Sequence, residues 1–92
     1  MNIRQDINDL LYALSIKGKI YKINSFNYYN EKKGRYLTKY QVYRKEKVKI
    51  YNKENEKFEE NEIFKKKEDC YNLIDVMVYL ADEYKKESEK SE

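Results

Sequence analysis

Apolar positions along the chain change period twice. Ile3, Ile7, Leu10, Leu11 and Leu14 stand at steps of four, seven, eight and eleven from the first, one stripe on a helix of 3.6 residues per turn. Asn2 supplies an N-cap with Gln5 three residues on, and Asp6 suits the positive end of the helix dipole. Lys17 and Gly18 then give a cation and a residue free to take a left-handed conformation. The pattern predicts a helix over 3–17.

From Lys19 the period falls to about two, and Tyr, Ile, Phe, Val and Thr take over, residues suited to a pleated, half-buried surface. Strands are predicted over 19–29 and 35–44, joined by a polar turn at 30–34 that ends in Gly34. In the second strand Tyr36, Thr38, Tyr40 and Val42 share one face, taken as the core face, and Leu37, Lys39, Gln41 and Tyr43 share the other. The first strand is less regular: Ile20, Phe26 and Tyr28 have one parity, Tyr21 and Ile23 the other. A third strand is predicted over 47–51, with 58–64 as an optional fourth that would close a second hairpin.

The helical period returns with Leu73, Met77, Leu80, Ala81 and Tyr84, again at four, seven, eight and eleven. Cys70, Ile74 and Val78 flank that stripe, and a helix over 68–86 with a frayed tail over 87–92 is predicted. The expected fold class is therefore α+β in one domain spanning 1–92: an N-terminal helix, an antiparallel sheet of three or four strands and a C-terminal helix, both helices on one face. The expected core is Leu10, Leu11, Leu14, Ile20, Ile23, Phe26, Tyr40, Val42, Leu73, Met77 and Leu80.

Composition narrows the chemistry. The 92 residues contain no histidine, one cysteine and two separated glycines. An imidazole proton shuttle, a thiolate zinc site within one chain and a glycine-rich phosphate loop are all excluded. No cofactor, metal or catalytic residue is expected, and the chain reads as a non-enzyme. No apolar run reaches the roughly 20 residues of a membrane span. With a lone Cys70 that reads as a small core residue, this places the expected protein in the cytoplasm. Lys, Asn, Ile and Tyr supply 45 residues against four for Gly, Ala and Pro together, the codon signature of an AT-rich genome.

The net charge of +3 hides a dipole: 1–18 is neutral, 19–51 carries +8 and 52–92 carries −5. The basic stretch also holds seven of the eleven tyrosines. Tyrosine and arginine are the types enriched at interface hot spots, so Tyr28, Tyr29, Lys32, Lys33, Arg35, Lys39, Tyr43 and Arg44 are the candidate partner-binding residues. The same alternation of cations and rings suits phosphate tracking and base stacking, which makes direct nucleic-acid binding the alternative. It also suits a sheet in which tyrosine is simply the large strand former and lysine keeps the exposed face soluble.

In size, lysine and tyrosine content, and helix–sheet–helix plan, the chain resembles small accessory proteins of phages and mobile elements of AT-rich Gram-positive bacteria, anti-CRISPR inhibitors among them. The resemblance covers the whole chain and rests on composition and architecture, with no motif to carry over. It implies a host protein partner, a nucleic-acid enzyme, blocked sterically, since a net basic chain is a poor mimic of DNA. The sequence leaves homo-oligomerisation open.

Overall fold

A computed structural model describes residues 2–90. Helix α1 (Ile3–Ile16), strands β1 (Tyr21–Asn30), β2 (Arg35–Asn52) and β3 (Lys57–Cys70), and helix α2 (Leu73–Lys90) follow in that order. The strands form one antiparallel sheet in the order β1-β2-β3, the α+β architecture expected from the periods.

Local chemistry sets each boundary. Asn2 Oδ1 accepts from Gln5 N at 3.2 Å and opens α1. Gly18, at φ 84°, closes it: its N–H reaches Ser15 O at 3.0 Å, and that of Lys19 reaches Leu14 O at 2.9 Å. This is the paired C-terminal bonding that a left-handed residue permits. Asn72 Oδ1 accepts from Asp75 N at 2.8 Å and caps α2. At the second hairpin turn Glu56 takes φ 54° without being a glycine; Asn52 and Asn55 hold that turn by accepting from Glu54 N and Lys57 N.

The sheet is offset rather than stacked in register. β1 pairs with β2 from Arg35 to Arg44, and β3 pairs with it from Tyr40 to Asn52, so three strands lie side by side only at residues 40–44. On either side a two-stranded arm projects. The β1–β2 arm ends in an edge-to-face Tyr29–Tyr36 pair with ring centroids 5.3 Å apart, the β2–β3 arm in a tilted Tyr51–Phe58 pair at 5.2 Å. The arms stretch the molecule to 52 × 40 × 17 Å and its radius of gyration to 16.9 Å, against about 12 Å for a compact chain of this length.

The core lies at the overlap. Ile7, Leu14, Tyr21, Val42, Cys70, Val76 and Leu80 are buried, with Leu10, Leu11, Ile23, Tyr40, Leu73, Met77 and Tyr84 packed against them. Pairing gives Tyr21, Ile23, Tyr40, Val42 and Cys70 a common parity. Two expected core residues lie outside it. Phe26 is 43% exposed because the pleat sets it opposite in parity to Ile23, and Ile20, 39% exposed, precedes the strand.

Several expected boundaries also move. Residues 35–44 and 47–51 belong to one 18-residue strand, and 58–64 is the middle of its 14-residue partner. Residues 68–70 are strand, because Cys70 pairs with Tyr40 and the helix waits for its cap at Asn72. At the other end α2 continues through 87–90, steadied by a 3.6 Å Lys90–Glu87 ion pair, where fraying was expected; 91 and 92 lie outside the described residues.

Parity can be tested by truncation. Val42→Ala, at a site with no exposed surface, is expected to cost about 2 kcal/mol in urea denaturation. Phe26→Ala is expected to stay within about 0.5–1 kcal/mol of the parent. Glu56→Gly is expected to raise stability by up to about 1 kcal/mol, since glycine takes positive φ without a Cβ clash.

Candidate interaction face

The parity opposite to Val42 carries a different chemistry. Register places Lys22 across from Tyr43, Tyr43 across from Lys66, Tyr28 across from Leu37, Phe26 across from Lys39 and Lys45 across from Phe64. The β3 residues join this face through a bulge at Val42/Tyr43, where the ladder passes from Glu68 to Lys66 and leaves Lys67 unpaired in register.

Four of the cations on this face have local partners; Arg35 and Lys49, which share its parity, form no ion pair or ring contact among the described residues. Lys22 Nζ stands 4.5 Å from the Phe64 ring centroid and 5.4 Å from that of Tyr43. Lys39 Nζ lies 5.6 Å from the Tyr71 centroid and 3.8 Å from Asp69 Oδ1. Lys66 reaches Asp69 Oδ2 at 3.1 Å and holds that carboxyl below its usual range. Lys45 does the same to Glu62 at 3.0 Å. Tyr43 donates its hydroxyl proton to Gln41 Oε1 at 2.9 Å. The face is a mosaic of rings, ion-paired lysines and cations without a carboxylate partner.

Glu46 organises the other parity. Its carboxylate accepts from Arg44 at 2.6 Å, pairs with Lys67 and lies 3.7 Å from Lys65. Together, Lys67 first and Arg44 next, they lower its pKa to about 2. The Glu46 bond also raises the pKa of Arg44. Burial pushes the phenols of Tyr21 and Tyr79 up, and likewise the thiol of Cys70, so Cys70 is a core residue held in its neutral form.

Of the sequence-predicted residues, Tyr28, Lys39 and Tyr43 share the mosaic face, and Arg35 has the same parity near the end of its arm. Lys32 and Lys33 occupy the exposed turn at 31–34. Tyr29 has the opposite parity and stacks edge-on with Tyr36. Arg44 also has the opposite parity, committed to Glu46. Lys22, Phe64, Lys66 and Asp69 were missed. The parity of Lys22 against Tyr43 was within reach of the strand pattern, but Phe64, Lys66 and Asp69 depend on the β2–β3 register and its bulge.

The grooves are open; one, about 580 Å³, runs beside β2 where β3 has ended and is lined by Tyr28, Leu37, Thr38, Tyr71 and Leu73 among others. Among the described residues no three His, Cys, Asp or Glu side chains are placed to hold a metal ion, and no helix is long and apolar enough to cross a membrane. No protein-family model matches the chain, and no curated protein or solved structure is significantly similar to it.

The Glu46 cluster generates a pH prediction. Its folded-state pKa of about 2 lies below the ordinary 4.5, so the unfolded chain binds the proton more readily. The stabilisation is present above pH 4.5 and is lost as pH falls towards 2. Glu46→Gln is expected to lower the urea midpoint at about pH 7, and its gap to the parent is expected to narrow at about pH 2.5.

Proposed function

We propose that this chain is a non-enzymatic protein-binding module, of the kind a phage or mobile element uses to block a host nucleic-acid-processing machine. In this reading both helices close the Val42 face and leave the mosaic face to the partner. The observation that carries it is the state of the lysines. Lys22, Lys39, Lys45 and Lys66 already lie over rings or beside carboxylates. A phosphate backbone would have to displace those contacts. A protein surface, which offers its own carboxylates, amides and apolar groups, fits the mosaic as it stands.

The alternative, direct nucleic-acid binding by the same Lys/Tyr face, makes an opposite prediction. Labelled single- and double-stranded DNA and RNA are titrated at ~50 and ~200 mM salt, between which phosphate-driven binding weakens steeply. The expected outcome is no tight, salt-sensitive binding, together with a protein complex formed from nuclease-treated extract and lost in Lys22→Ala/Phe64→Ala. Tight binding that collapses between the two salts and disappears in Lys22→Glu/Lys39→Glu overturns the protein-partner reading.

A further inference from the structure

The two edges of the sheet are built differently. β3 forms one edge, and nine of its 14 residues are charged: Lys57, Glu59, Glu60, Glu62, Lys65, Lys66, Lys67, Glu68 and Asp69. β1 forms the other, and of its ten residues only Lys22 is charged. Charges, prolines and bulges are the devices by which proteins stop an open edge from pairing with another chain. β3 has the charges and carries the bulge, at Lys67. β1 has neither proline nor glycine, a regular ten-residue ladder to β2, and a run of exposed residues, Asn24, Ser25, Phe26 and Asn27, along its middle. Among the described residues no other strand pairs with it.

We propose that β1 is a self-association edge and that two copies of this chain join their β1 strands antiparallel into a continuous six-stranded sheet. Charge selects the occupant. β1 offers amides and rings with one cation at its start, and that cation already lies over Phe64. A charged strand finds no counter-charge there, and β2 and β3 are both rich in charge. The strand in this chain that matches the edge is β1 itself. Self-pairing about Ser25 sets Lys22 opposite Tyr28 of the second copy and Asn24 opposite its Phe26. Self-pairing about Phe26 sets Lys22 opposite Asn30, Asn24 opposite Tyr28 and Phe26 opposite Phe26. Neither register opposes like charges, and both juxtapose aromatic or amide side chains across the strands.

Surface area agrees. The chain exposes 7153 Å², whereas a compact monomer of its mass exposes roughly 5,800 Å². The excess, about 1,400 Å², exceeds the roughly 800 Å² per partner of a standard interface. An antiparallel pair of identical strands has its two-fold axis perpendicular to the sheet, so residues of equal parity stay on the same side. The mosaic faces of both copies would then be continuous. The dimer does not rest on the protein-partner reading, and its test does not involve the partner.

The test is sedimentation equilibrium on the purified full chain, at concentrations from about 5 to 200 µM that span the Kd of a modest interface. The expected mass is twice 11.4 kDa. Asn24→Glu/Phe26→Glu places carboxylates opposite each other in both registers, and is expected to weaken association at least a hundredfold, by about the size of a like-charge juxtaposition, with unchanged far-UV circular dichroism. Mixing that variant with Asn24→Lys/Phe26→Lys is expected to restore the dimer as a heterodimer. A parent of 11.4 kDa throughout this range overturns the proposal. So does a dimer that persists in the glutamate variant, which places the contact elsewhere.

Discussion

The structure depends on one strand serving two hairpins. β2 is 18 residues long, and its neighbours share only residues 40–44 of it. Val42, fully buried, lies in that shared stretch with Cys70 from β3 and Ile23 from β1 near it. The helices have a core to pack on only there. Their apolar stripes, Ile7 and Leu14 from α1 and Val76 and Leu80 from α2, meet the sheet in a single cluster. A slip of one residue at Val42 would turn every side chain of β2 to the other face and remove both hairpins' contribution to the core at once.

The cost of this arrangement is two arms with little tertiary cover. A two-stranded ribbon is marginal by itself, so each arm relies on contacts between its own strands. In the β2–β3 arm these are the Tyr51–Phe58 pair, the Lys45–Glu62 ion pair and the bonds of Asn52 and Asn55. At its base Glu46 holds Arg44 of β2 and Lys67 of β3. Lys67 is the residue that the bulge leaves out of the ladder. The irregularity therefore supplies a cation where the arm leaves the core.

Much of the fold was legible because period and caps act locally. The stripe from Ile3 to Leu14 and Asn2 and Gly18 at its ends defined α1 to within a residue. The β2–β3 hairpin was visible as two β-rich runs around a polar turn, but its length was not. The charge of 57–69 obscured strand propensity, since those residues gain their conformation from cross-strand pairing rather than from burial. The candidate face was half legible. Tyr28, Lys39 and Tyr43 follow from strand parity, but Arg44 was drawn in by composition and is turned away by that same parity. Its partner Glu46 lies only two positions along, an i,i+2 pair that a strand, unlike a helix, brings together on one face.

The charge dipole of the sequence takes on a different meaning once β2 and β3 are paired. The +8 and −5 segments meet in part, because β2 belongs to the first, β3 to the second, and antiparallel pairing lays them side by side. Lys45 meets Glu62, Lys39 meets Asp69 and Lys47 pairs in register with Glu62. Part of the segregation along the chain is thus used in register: a β2–β3 ladder slipped by one residue would set Lys45 against Lys65. What the paired strands place on the mosaic face is a short-range pattern of rings, amides and ion pairs.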